Sequence, residues 1–64
     1  MDIAILNYPS GEVDVIREVN YDLIEAKYEG DIEWYLDDCG YKTSQIHYMC
    51  SNNIIINDNN KLYE

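Results

Sequence analysis

Closely spaced turn residues limit this chain to short elements of secondary structure. Proline, glycine and asparagine mark breaks at residues 9–11, 30, 40 and 51–53 of the 64-residue sequence. No apolar stretch between these breaks approaches the ~20 residues that a membrane-spanning helix requires. A chain of this size buries only about 60% of its unfolded surface, so its stability is expected to be marginal. The sequence predicts a single domain over residues 1–64, with no membrane association.

Each end of the chain shows the pattern of a β-hairpin. Residues 3–8 are rich in apolar and β-branched side chains, a Pro-Ser-Gly turn follows, and apolar and acidic side chains alternate over 12–15. Side chains also alternate over 45–50, after which Asn-Asn leads into three isoleucines at 54–56. Both patterns predict a pair of antiparallel strands.

Residues 32–39 are predicted to form a short helix with both ends marked. Asp31 is a favourable N-cap, and Gly40 suits the left-handed conformation that ends a helix. One apolar stripe has helical spacing: Ile32, Tyr35, Leu36 and Cys39. The preceding segment, 18–29, is ambiguous, because Asn20 can cap a helix while Val19, Tyr21 and Leu23 alternate like a strand. We expect a short helix over 20–28 or an irregular excursion.

Together these elements predict an α+β fold in the order ββ-α-ββ. Two hairpins form a four-stranded antiparallel sheet with the helix packed on one face. Residues 59–64 are expected to fray, because they are too polar for a buried strand. The first strand and the 54–56 run are apolar on both sides, so the sheet requires a second cover. Either residues 18–29 or another copy of the chain supplies that cover.

Acidity dominates the composition. Thirteen acids and four bases give a net charge of −9. A field of this sign opposes binding to nucleic acid and anionic membranes, and it favours a protein partner with a basic patch. The simplest interpretation is that the charge serves solubility alone. The two cysteines allow one disulfide at most, which favours the reducing cytoplasm.

Trp34 is the most informative residue on the predicted helix. It lies off the apolar stripe and has Asp37 and Asp38 at i+3 and i+4, with Asp31 at the helix start. An aromatic ring surrounded by charge is a common anchor for a protein partner, so these four residues form the candidate binding site. In the alternative, Trp34 packs under residues 18–29 as part of a second small core.

Residues that carry metal or catalytic chemistry are sparse. Cys39, His47 and Cys50 are the only soft metal ligands, and they lack the paired short spacings of a zinc site. His47 has no recognisable nucleophile partner, and the acids lack the ligand pattern of a calcium loop. We therefore expect no metal, no cofactor and no enzymatic activity. Cys39 is predicted to be a small core residue and His47 to lie on a strand surface.

Five short stretches resemble a known group of proteins. They are NYPSGEV at 7–13, IEWYL at 32–36, CGY at 39–41, YM at 48–49 and III at 54–56. With these stretches the chain resembles small uncharacterised acidic proteins of plasmids, phages and conjugative elements in gut bacteria. The resemblance implies an accessory protein of a mobile element and supplies no catalytic residues.

The leading functional hypothesis is a non-enzymatic protein-interaction or regulatory module. One alternative is a DNA-mimic inhibitor of a nucleic-acid-binding protein, whose carboxylates imitate the spacing of phosphates. The other is a structural protein that forms homodimers. It would do so through an uncovered sheet face or through the edge of a strand at 54–56.

Overall fold

Three strands and two short helices make up the chain in the computed structural model, which describes residues 1–57. In chain order they are β1 Asp2–Asn7, β2 Glu12–Ile16, α1 Tyr21–Tyr28, α2 Ile32–Asp38 and β3 Ile46–Ser51. A single 3₁₀ turn leads into β3. The strands form one antiparallel sheet in the order β2-β1-β3, which confirms the α+β class. The predicted fraying of 59–64 lies outside the described residues.

The predicted N-terminal hairpin is confirmed. Leu6 lies opposite Val13, and Asn7 lies opposite Glu12, in the antiparallel pairing of β1 with β2. The Gly11 N–H donates to the Asn7 carbonyl at 2.9 Å and closes the turn. Local turn chemistry therefore sets the register of this hairpin.

The predicted four-stranded sheet is wrong, because β3 pairs with β1 and residues 54–56 form no strand. Side chains occupy the backbone groups of Ile54. Its N–H donates to Asp2 Oδ2 at 3.3 Å, and its carbonyl accepts from Arg17 Nη1 at 2.9 Å. Groups bonded in this way are not available to a strand ladder. The second hairpin is therefore replaced by a turn that brings Ile54 to the start of β1.

Helix α2 is confirmed and is one residue shorter than predicted. At its start, Asp31 Oδ1 accepts from the Trp34 N–H at 3.2 Å. After its end, Gly40 has a φ of +103°, and the Tyr41 N–H donates back to the Leu36 carbonyl at 3.1 Å. Glycine adopts this left-handed conformation at little cost, so the helix ends where the sequence indicates.

The ambiguous segment after β2 forms helix α1, which confirms the helical alternative for 20–28. Asn20 caps it, since Asn20 Oδ1 accepts from the Asp22 N–H at 3.0 Å. Glu18, just before the cap, has a φ of +57°, and its N–H donates to Asp2 Oδ1 at 3.1 Å. A continuing strand does not contain such a left-handed residue. The contact with Asp2 therefore coincides with the point where the chain leaves the sheet.

The main core lies between the sheet and α2. Its four residues are almost fully buried: Ile3, Ile5, Leu36 and Ile46. Helix α1 packs on α2, where Tyr28 stands edge-on to Tyr35 with ring centroids 5.5 Å apart. Ile16, which points to the same side of the sheet as this core, shares a cleft with Ile24 of α1. Both helices therefore lie on one side of the sheet.

No helix among the described residues covers the opposite side of the sheet, although Ile54 is buried where it bonds to Asp2 at one end of that side. Alternation along the strands points Asp2 and Ser51 to it at one end, and six further side chains along its length: Ala4, Leu6, Val13, Val15, His47 and Met49. We call these six residues the outer sheet face. Leu6 is 43% exposed, Val13 60% and Met49 57%. The second cover that the sequence predicts is not supplied by residues 18–29, because α1 packs on α2 instead.

Asp2 connects β1 to two distant parts of the chain. Its buried carboxylate accepts from the Glu18 N–H, from the Ile54 N–H and from Arg17 Nη1, the last at 2.9 Å. The two backbone donors, and then Arg17, hold the pKa of Asp2 below its ordinary value of 3.8 and outweigh the opposing effect of burial. The fold is therefore closed by the ionised form of one carboxylate.

Removing the Asp2 charge is expected to make the stability of the fold depend less on pH in the acidic range. Because the Asp2 pKa is depressed in the folded chain, its contribution is present above 3.8 and is lost as the pH falls through the folded value. Thermal melts between about pH 7 and pH 2 test this. Asp2→Asn should lower the Tm at neutral pH and show a smaller further decrease in acid, whereas Asp37→Asn should follow the wild type. Equal acid slopes for wild type and Asp2→Asn would contradict the assignment.

Tyr41 leads to a corresponding prediction for stability at alkaline pH. Its hydroxyl donates to Asp14 Oδ2 at 2.9 Å, and burial together with this carboxylate raises the pKa of Tyr41 to about 12. The contribution of neutral Tyr41 is therefore present below the ordinary value of 10.0 and is lost as the pH rises toward about 12. In urea denaturation, Tyr41→Phe should lose less stability over this range than the wild type. Tyr21→Phe, at a 43% exposed tyrosine, is the matched control.

Candidate functional site

The four residues of the predicted binding site lie on α2 and at its N-cap. Asp31, Trp34, Asp37 and Asp38 are all exposed, whereas Leu36 between them is fully buried in the core. Because Leu36 fixes the helix on the sheet, the opposite side of α2 is turned to solvent. The structure therefore brings all four predicted residues onto one short helical segment.

Trp34 is half-exposed. It keeps 48% of its surface accessible, and its ring packs edge-on against Tyr28 of α1, with centroids 5.3 Å apart and planes at 85°. Edge-to-face pairs of this kind add about 0.5–1.5 kcal/mol beyond area burial. Trp34 thus joins the two helices and also presents part of an indole ring to solvent.

Tyr28 is in turn held by Asp38 and lies beside Lys27. The Tyr28 hydroxyl donates to Asp38 Oδ2 at 2.7 Å, and Lys27 Nζ lies 5.5 Å from the ring centroid. The Asp38 hydrogen bond, and then burial, raise the pKa of Tyr28 above its ordinary value of 10.0. Asp38 therefore orients the ring against which Trp34 packs.

The other two predicted carboxylates differ in role. Asp31 caps α2, where a negative charge also interacts favourably with the helix dipole. The Asp37 carboxylate is exposed and makes no hydrogen bond or ion pair within residues 1–57. Of the three predicted acids, Asp37 has its carboxylate least engaged in holding the fold.

The structure adds Tyr48 and Glu33, which the sequence did not single out. Tyr48 of β3 is 37% exposed and lies opposite Ile5, on the side of the sheet that the helices cover. Burial raises the pKa of Tyr48 first, and the nearby carboxylates of Glu33 and Asp31 raise it further. No local signal could have shown this proximity, because it depends on β3 pairing with β1. The α2 surface, as we use the term, comprises Asp31, Glu33, Trp34, Asp37, Asp38 and Tyr48.

The residues considered for metal chemistry lie apart. His47 and Cys50 project to opposite sides of β3, and His47 lies on the strand surface as predicted. Cys39 is exposed, so its prediction as a core residue is wrong. The reason is that α2 ends at Asp38, which leaves Cys39 at the cap, outside the buried stripe. In the part of the chain that the structure describes, no three His, Cys, Asp or Glu side chains are placed to hold a metal ion.

One cleft lies between α1 and the segment that follows β2. It has a volume of about 610 Å³ and an apolar lining that includes Ile16, Val19 and Ile24, with Arg17 and Lys27 among its charged residues. None of the described residues that line it is Ser, Thr, Cys or His. The cleft therefore contains no Ser, Thr or Cys nucleophile and no His base among the residues described.

Comparison with known proteins gives no match: no family model, no curated protein and no solved structure corresponds to this chain. Within residues 1–57, neither helix combines the length and the apolar character needed to cross a membrane. A functional proposal therefore rests on the geometry of the surfaces described above.

The two roles assigned to the acids of α2 can be separated by stability measurements. Asp31→Ala removes the N-cap and should lower the free energy of unfolding by about 1 kcal/mol. Asp37→Ala, at an exposed position without a partner in residues 1–57, should change it by less than about 0.5 kcal/mol. Urea denaturation at neutral pH measures both values. Equal losses in the two variants would contradict these roles.

Proposed function

We propose that this chain is a non-enzymatic protein-interaction module that binds a basic partner through the α2 surface. The observation that carries the proposal is the position of Trp34, which is 48% exposed and yet held edge-on by Tyr28. This is the only tryptophan of a chain whose core is small. Tryptophan is among the residue types most enriched in the energetic centres of protein interfaces.

The contacts around Trp34 favour binding because they order the ring in advance. Tyr28 packs against it, and Asp38 holds the Tyr28 hydroxyl at 2.7 Å. Immobilising a flexible side chain at an interface costs about 0.5–1.5 kcal/mol. A ring that is already held in the free protein loses less freedom, so more of its contact energy contributes to affinity.

The charges on the α2 surface indicate the chemistry of the partner. Glu33 and Asp37 are exposed on the same helix as Trp34, and the net charge of −9 attracts a basic patch at longer range. An Arg guanidinium suits both features, because it stacks on an indole ring and forms paired hydrogen bonds with a carboxylate. We infer a protein partner with an Arg-containing basic patch, and not nucleic acid or an anionic membrane.

A regulatory accessory role fits this surface. A module that covers the basic patch of another protein blocks whatever that patch binds. The resemblance to proteins of mobile elements supports such a role in a bacterial host, and the free thiols of Cys39 and Cys50 support a reducing cytoplasm. Both points belong to the proposal. They extend it from the binding surface to the host and the cellular compartment in which the chain acts.

The DNA-mimic alternative stays a prediction from the charge alone. Four carboxylates make hydrogen bonds inside the fold: Asp2, Asp14, Asp31 and Asp38. A carboxylate that holds the fold together is less available to imitate a phosphate. We therefore advance the Trp34-centred surface as the binding site.

The proposal is tested with an arginine-rich peptide as the basic probe. Because Trp34 is the only tryptophan, its fluorescence reports binding at this site directly. We expect the emission of the full chain to shift to shorter wavelength on titration, with an affinity that falls as salt is added. In calorimetry, Trp34→Ala and Asp37→Asn should each weaken binding by about tenfold or more.

Leu23→Ala provides the matched control, since Leu23 is a 65% exposed apolar residue on α1, outside the α2 surface. It should leave the affinity unchanged. Circular dichroism of Trp34→Ala establishes that the variant remains folded, and Trp34→Phe retains a ring if it does not. Equal affinities of wild type and Trp34→Ala would show that the peptide binds the diffuse charge and would contradict the proposal.

A further inference from the structure

A second surface lies on the side of the sheet opposite α2. The outer sheet face presents Leu6, Val13 and Met49 to solvent, each at least 43% exposed. A shallow hollow of about 200 Å³ opens beside the small side chain of Ala4. Its lining residues are Ala4, Leu6, His47, Tyr48 and Met49. An open apolar surface of this kind commonly marks a site of protein association.

The charges of the strands are partitioned away from this face. Glu12 and Asp14 of β2 point to the helix-covered side, since they lie opposite Asn7 and Ile5. One strand carboxylate, Asp2, points to the outer side, and it is buried and paired with Arg17 at 2.9 Å. A chain of net charge −9 therefore has a sheet face without a free carboxylate on its strands.

We propose that a second copy of this chain covers the outer sheet face, in a two-fold sandwich of two three-stranded sheets. A two-fold contact brings the same residues of both copies together. On the α2 surface that operation would oppose Asp31, Glu33 and Asp37 with their own duplicates. On the outer sheet face it opposes apolar side chains, and Leu6 or Met49 of one copy can enter the hollow beside Ala4 of the other. The charge pattern thus selects this face for self-association.

The area of the face sets the strength of the dimer. Three strands of about six residues cover roughly 14 Å by 20 Å at ordinary strand dimensions. This is smaller than the standard interface of about 800 Å² per partner, so the dimer is expected to be weak. The chain is also short enough that additional apolar burial contributes to its folding. When the concentration of the chain is high, second copies are available to cover the face.

The other occupants fit the face less well. Residues 58–64 read DNNKLYE, in which Leu62 and Tyr63 are the only large apolar side chains. Two side chains are few for a face of six residues spread over three strands. The edge of a strand at 54–56 is excluded as a pairing site, because Ile54 is buried and bonded to Asp2 and Arg17.

Sedimentation of the full chain tests the proposal, from about 10 μM to about 1 mM and at low and high salt. We expect a reversible monomer–dimer equilibrium that strengthens with salt, because salt screens the repulsion between two copies of charge −9. Leu6→Glu and Val13→Glu should each raise the dimer Kd by about 100-fold or more. Leu23→Glu adds the same charge at a 65% exposed position on α1 and should raise it much less.

Several results would overturn the proposal. A wild type that stays monomeric at the highest concentration and salt is one. Equal weakening by Leu6→Glu and Leu23→Glu, with the fold of each checked by circular dichroism, is another. Because Leu6 lies on the central strand, a dimer insensitive to Leu6→Glu indicates edge-to-edge pairing instead. A chain truncated after Asn57 that dimerises when the full chain does not shows that residues 58–64 cover the face.

The outcome is independent of the α2 surface. Trp34→Ala should leave the dimer Kd unchanged, and the dimer should strengthen with salt while binding of the arginine-rich peptide weakens. Failure of peptide binding therefore does not contradict the dimer, and absence of the dimer does not contradict peptide binding.

Discussion

The buried carboxylate of Asp2 accepts hydrogen bonds from two parts of the chain that are distant from it in sequence, residues 17–18 and residue 54. Its partners are the Glu18 N–H, the Ile54 N–H and the Arg17 guanidinium. At Glu18, which is bonded there, the chain leaves the sheet after β2 in a left-handed conformation and then enters α1. Because Ile54 is bonded there, residues 54–57 do not form a fourth strand. One ionised side chain thus closes the sheet of three strands that residues 1–57 form.

Both helices lie on one side of this sheet. α2 is fixed on the sheet by Leu36, and α1 packs on α2 through Tyr28. In the described part of the chain, the helices therefore cover one side of the sheet. The acids and half-exposed aromatic rings on that side surround α2. The other side is apolar. The even distribution of acids along the sequence becomes an uneven distribution in space, and this partition separates two kinds of interaction surface.

The two proposed surfaces respond to opposite physical conditions. Binding at Trp34 depends on attraction between opposite charges and weakens with salt, whereas pairing of outer sheet faces works against repulsion of like charges and strengthens with it. A sandwich of two sheets would leave an α2 surface on each outer layer. Two such surfaces, facing away from each other, would allow one dimer to engage two basic partners, or one partner with two basic patches, with an avidity above that of a single site.

The sequence by itself determined those elements whose signals are local. The turn at 9–11 specified the first hairpin, and Asp31 and Gly40 specified the limits of α2, because caps and tight turns depend on residues within a few positions of each other. Tertiary structure decided the rest. β3 pairs with β1, the Ile54 N–H donates to the Asp2 carboxylate, and the Trp34 ring packs edge-on against Tyr28. In each of these contacts, no pattern in the neighbouring sequence identifies the partner residue. The extent to which Trp34 is exposed, and which face of the sheet stays open, were therefore settled only when the elements packed.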